Sequence, residues 1–145
     1  MKPILIRWVI CSFLMLVFTY YYDPDKLFYI PREKPQLILF LAVFYPIFSA
    51  LPQEFIFCTF FFERYKPFFP NNTARVYASA IVFAYAHVLF INPVAPVLSF
   101  IAGLIFAGTF ARTKSLALVT IEHSLYGLVL FIVGLGWYFW GGAIL

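Results

Sequence analysis

Long apolar runs alternate with short polar breaks along this chain, and the runs have the length that crosses a bilayer. Windows of about 20 residues, the span of a transmembrane helix, mark five such runs: residues 3–22, 36–62, 74–90, 94–111 and 115–138. Stretches such as 37–48 and 116–121 are apolar on every side. Barrel strands would instead alternate polar and apolar over about ten residues. In lipid each backbone N–H and C=O must be satisfied within its own element, so these runs read as helices. Pro46 and Pro52 fall inside the second run and predict a kink there. Ser99, Gly103, Ala107 and Ala111 recur every fourth residue along the fourth. That small-residue stripe predicts a close helix contact. The fold class expected is an all-α integral membrane protein, a bundle of about five transmembrane helices forming one domain over residues 1–145.

Composition agrees, with 64% apolar and 11% charged residues and a mean hydropathy of +0.93. Soluble domains carry about a quarter charged residues, so a soluble globular domain is excluded. The net charge of +4 does not point to nucleic acid, because the ten Lys and Arg are scattered between apolar runs and build no basic face. They act as topology signals. Lys2, Arg7, Arg64, Lys66, Arg75, Arg112 and Lys114 fall on one side, and only Lys26, Arg32 and Lys34 on the other. The positive-inside rule then predicts a cytoplasmic N-terminus, with Trp137 and Trp140 in an outer interfacial belt. The basic start could mimic a signal peptide, but the first run ends in Tyr20, Tyr21 and Tyr22 without a small-residue cleavage site, so it is expected to stay as a helix. Cys11 and Cys58 both lie in apolar runs, too few for a disulfide framework or a Cys-type metal site.

Ionisable groups at membrane depth are costly and therefore candidates for function. Four are present, Glu54, His87, Glu122 and His123. Counted in helical rise from the nearest basic residue, Glu54, His87 and His123 lie about 15, 18 and 13 Å deep, in one layer on three helices. Glu122 points about 100° away from His123 and is expected in a supporting role, paired with Arg112 or Lys114. The Asn92-Pro93 turn follows His87 by only five residues and would have to dip into the membrane. A carboxylate drawn out of water becomes a stronger base. Glu54 could then activate a water that the two imidazoles orient, permitting amide hydrolysis. The same three residues could instead hold zinc with a bound water, and the two His alone could ligate haem iron.

The segment Pro52-Gln53-Glu54-Phe55-Ile56-Phe57-Cys58, with the run on to Glu63-Arg64-Tyr65, resembles the first motif of the CAAX prenyl protease and bacteriocin-processing intramembrane proteases. That motif is a Glu-Glu pair with Arg four residues after the second Glu. Phe83-Ala84-Tyr85-Ala86-His87 is similar to the second motif, Phe-x-x-x-His. Glu122-His123-Ser124-Leu125-Tyr126-Gly127 is similar to the third, a His often followed four residues later by Asn. The resemblance covers roughly residues 45–135 and leaves the first run outside. It implies a glutamate-type intramembrane protease without a cofactor in a bacterial inner membrane, acting on hydrophobic or lipidated peptides, with catalytic Glu54, His87 and His123. Because the chain is short for the family, a homodimer or an accessory subunit is expected to complete the cavity. Three positions depart from the pattern. Gln53 replaces the first Glu, Cys58 replaces the Arg, and Gly127 replaces the Asn, where Tyr126 is expected to substitute in part. These departures support an alternative, a catalytically silent relative that binds a membrane peptide or a partner protein.

Overall fold

The computed structural model describes residues 1–140, and residues 141–145 lie outside it. Six helices carry the fold: α1 Lys2–Tyr22, α2 Tyr29–Glu33, α3 Pro35–Arg64, α4 Asn72–Ala86, α5 Val94–Thr113 and α6 Leu116–Ile132. No strand is present among the described residues. Four of the helices, α1, α3, α5 and α4 with its extension to Phe90, are long and apolar enough to cross a membrane. The chain is therefore an all-α membrane bundle. Its outer face is greasy, with Leu39, Phe48 and Leu89 each more than 70% exposed, as lipid contact demands and water would penalise.

The helix ends follow local chemistry. Asn71, Asn92 and Ser115 each accept a backbone N–H three residues on, from Ala74, Ala95 and Leu118, satisfying an otherwise orphan donor at the starts of α4, α5 and α6. α5 stops at Lys114, whose φ of +52° breaks the helical path. Asn92 also donates to the Tyr138 carbonyl at 2.8 Å, so the Asn92-Pro93 turn is tied to the segment that follows α6.

The fifth apolar run does not span as one helix over 115–138; α6 ends at Ile132 and a 3-10 turn, Leu135–Phe139, follows. Gly134 is the reason. Its φ is +102°, and a β-carbon there would land on the Lys26 carbonyl, so only glycine allows the chain to turn past the α1–α2 loop. The turn then folds across the bundle and sets Phe139 against His87, ring centroids 5.7 Å apart.

Basic residues gather at one end of the bundle, where Arg7 donates to Thr109, Arg75 to the Phe62 carbonyl, and Lys114 lies over the Phe62 and Phe110 rings. At the opposite end Tyr138 donates to Asp23 at 2.6 Å and Lys26 lies over Trp137.

Where the prolines predict a kink, α3 carries two π-helical stretches, Pro46–Ala50 and Phe55–Phe60. Pro46 and Pro52 bring no N–H to the carbonyls four residues earlier, and a widened turn accommodates both ring and lost bond. The Phe57 carbonyl in the second stretch accepts the Ser79 hydroxyl at 2.6 Å, fastening α3 to α4.

The small-residue stripe packs α5 on α4. A β-carbon on Gly103 would come within 2.9 Å of the Ala80 α-carbon, a backbone atom that no rotamer change can move. Gly103→Val is therefore expected to force the two helices apart at about 1–3 kcal/mol, the usual cost of overpacking. Unfolding of the purified protein in mixed micelles measures it, and an unchanged midpoint would show that the contact is loose.

Candidate active site

The interior polar groups meet between α3, α4 and α6. Glu54 is 1% exposed and His123 5% exposed, and His123 Nδ1 lies 2.7 Å from Glu54 Oε1. A carboxylate only accepts, so Nδ1–H donates and the Nε2 lone pair is left for chemistry on the other side of the ring. The second Glu54 oxygen accepts from the Cys58 thiol at 3.0 Å. Cys58 thus supplies a neutral donor at the position where the resemblance calls for a cation. His123 is further fixed by Phe106, whose ring stacks on the imidazole at 4.6 Å.

A cavity of about 250 Å³ opens beside this pair, its polar wall built by Tyr45, Ser49, Gln53, His87, Ser99, His123 and Tyr126 amid phenylalanines and leucines. Glu54 is absent from that wall. Its carboxylate sits behind His123, while its neighbour Gln53 faces the space, bonded to the Ser49 hydroxyl at 2.9 Å. Glu54, expected to activate the water, has His123 between its carboxylate and the cavity. The physical reason is the turn of α3: adjacent helical residues point about 100° apart, and this one sets Gln53, not Glu54, toward the opening.

His87 lies where α4 gives way to a 3-10 turn. Its Nδ1 donates to the Phe83 carbonyl at 2.7 Å, which directs the lone pair to Nε2. Phe83 touches both imidazoles, with centroids 4.6 Å from His87 and 5.8 Å from His123.

Tyr126, the expected stand-in for the missing amide at position 127, lines the cavity, with a buried hydroxyl that has no hydrogen-bond partner. Tyr45 from α3 also reaches the site, its hydroxyl 3.0 Å from His123 Nε2. Gly127 makes this possible, since a β-carbon at 127 would fall within the Tyr45 ring. Glu122 does not pair with Arg112 or Lys114 near the surface. It is fully buried and bridges to Arg7 of α1 at 2.7 Å. Arg7, read from sequence as a topology signal, could have been found as a further ionisable residue within an apolar run. Tyr45 carried no such signal, because its pairing with Gly127 joins residues 82 apart in sequence.

Among the described residues no three His, Cys, Asp or Glu side chains converge as a metal-ligand set. Both nitrogens of His123 are already engaged, by Glu54 and by Tyr45. A zinc or haem ligand would have to displace one of them.

A model of the type II CAAX prenyl endopeptidase Rce1-like family matches residues 35–129. The chain belongs to this family. Comparison with curated proteins and with solved structures returns no match. The match begins at the start of α3 and ends within α6, so this CAAX-protease core contains Tyr45, Gln53, Glu54, His87 and His123 and excludes α1. As a member of a protease family, the chain is a peptidase at family level, and it is an integral membrane protein.

Proposed function

We propose that the chain is an intramembrane endopeptidase in which His123, held by Glu54, activates water to hydrolyse an amide bond of a hydrophobic or lipidated peptide. One observation carries this reading: the buried 2.7 Å contact from His123 Nδ1 to Glu54 Oε1, on a ring that forms part of the cavity wall. Nε2 takes a proton from water, Glu54 balances the imidazolium, and the same proton passes on to the leaving nitrogen. His–carboxylate pairs of this kind serve as general bases elsewhere. His87 Nε2, its other nitrogen tied to Phe83, orients the water. The apolar remainder of the cavity suits an aliphatic or prenyl group. Seven basic residues against three favour a cytoplasmic N-terminus, and thus a scissile bond reached from the cytoplasmic half.

Purified protein in nanodiscs, incubated with a farnesylated Cys-aliphatic-aliphatic-X peptide and a library of membrane peptides, tests the proposal. His123→Ala is expected to lose about 10²–10⁴-fold in kcat, the span of general-base contributions. His87→Ala is expected to lose less, and a strong chelator to change nothing. Equal cleavage by all variants rules the proposal out.

Gln53 favours a second reading. Its amide faces the cavity and cannot take a proton, which suits a silent relative that only binds the peptide. Under that reading the wild type cleaves nothing while Gln53→Glu gains activity.

A further inference from the structure

The hydroxyl nearest the reactive nitrogen of His123 belongs to no motif residue. Tyr45 reaches Nε2 at 3.0 Å from α3, its ring edge-on to the imidazole at 5.8 Å between centroids. It does so over Gly127, where any side chain would occupy the ring's place. A second edge-on contact, with Phe131 at 5.9 Å, also holds the ring. Tyr45 thus stands on the cavity wall with its hydroxyl at the point where chemistry would occur.

We propose that Tyr45 is a catalytic residue, a hydrogen-bond donor that caps His123 at rest and transfers its bond to the substrate oxygen during reaction. The inference rests on the peptidase reading above. With His123 Nδ1–H committed to Glu54, the Nε2 lone pair accepts from the Tyr45 O–H. A single lone pair cannot serve both Tyr45 and a water. The substrate carbonyl, on entering the cavity, takes over the Tyr45 hydrogen bond and frees Nε2 for water. In the attack a water O–H bond breaks and its proton goes to Nε2. The water oxygen bonds to the amide carbon, and the carbonyl π pair moves onto oxygen. Nε2 is now a donor and no longer competes for the Tyr45 proton, so the hydroxyl stays on the oxyanion while the negative charge lasts. Collapse returns the pair, breaks the C–N bond and sends the Nε2 proton to the leaving nitrogen. Tyr45 then returns to His123. Ser49 and Gln53 are the other polar donors on α3 at the cavity, but Gln53 already donates to Ser49.

Tyr45→Phe keeps the ring over Gly127 and deletes only the hydroxyl. It is expected to lower kcat on the farnesylated peptide by about 10²–10³-fold, the loss seen when one oxyanion donor is removed, with KM and the unfolding midpoint little changed. Unchanged or raised kcat overturns the assignment, because a mere cap on Nε2 would release activity when removed. A measurement without turnover separates this inference from the peptidase reading. The same farnesylated peptide, with a phosphinate in place of the scissile amide, presents the oxyanion in a stable form. Calorimetry is expected to show Tyr45→Phe binding it at least ten-fold more weakly than the wild type, while the amide peptide binds both alike. Equal phosphinate binding, or none by the wild type, overturns the role of Tyr45. Discrimination by a wild type that cleaves nothing sustains Tyr45 as the oxyanion donor and removes the peptidase reading alone.

Discussion

Glu54→Gln is expected to reduce turnover by about 10⁴-fold while leaving peptide affinity and the fold nearly intact. The carboxylate and carboxamide have the same shape, so the buried slot between His123 and Cys58 stays filled. What changes is the proton on His123. Glu54 offers only acceptors, which holds the imidazole proton on Nδ1 at 2.7 Å and leaves Nε2 as the base. A Gln turned with its NH₂ toward Nδ1 demands the opposite tautomer, with the proton on Nε2, where no base is left for water. Turned the other way, its NH₂ meets the Cys58 sulfur, a weak acceptor, and the charge that stabilised the imidazolium is absent in either pose. The asparagine variant of a Ser-His-Asp triad loses about as much for the same reason. Steady-state kinetics on the farnesylated peptide measures it. A loss under ten-fold would mean that Glu54 does not act through His123.

Arg7→Met should destabilise the bundle by about 3 kcal/mol, the lower end for breaking a buried ion pair. Glu122 is fully buried and bonds Arg7 at 2.7 Å, and Arg7 also donates to Thr109 at 2.9 Å. Removing the guanidinium strands a carboxylate among α1, α5 and α6 with no water to solvate it. The lower end is appropriate because the Arg7 side chain is itself a third exposed. The consequence extends to the site, since His123 follows Glu122 on α6 and α1 grips the same segment through Trp8, which donates to the Leu125 carbonyl at 3.1 Å. Adding Glu122→Leu is expected to return most of the stability, because an apolar pair of similar bulk often equals a buried ion pair. Unfolding of the single and double variants in mixed micelles decides it. A single variant as stable as the wild type would show the pair to be idle.

Helical rise is regular, so a count along each run placed Glu54, His87 and His123 at similar depth without any tertiary contact, and the structure brings His123 onto Glu54 and both imidazoles onto Phe83. Direction around the helix was less legible. Gln53 and Glu54 are neighbours in the chain, and nothing local says which of them faces the cavity, particularly in α3, where two π-helical stretches shift the register of its faces. The small-residue stripe was readable as a close contact and packs as one, through Gly103 on Ala80. The end of the fifth run was misjudged because apolar character continues past Ile132, while the stop at Gly134 depends on the distant Lys26 carbonyl.

The sequence by itself determined the class of molecule and the stock of reactive groups. A membrane helix satisfies its own backbone, so its existence depends only on the length and apolarity of its run. Tertiary structure alone decided the partnerships: Glu54 with His123, Tyr45 over Gly127, and Arg7 with Glu122. Each joins residues at least 69 apart in the chain. Such pairs form through the rotation and approach of whole helices, quantities that no periodicity along one strand of sequence encodes.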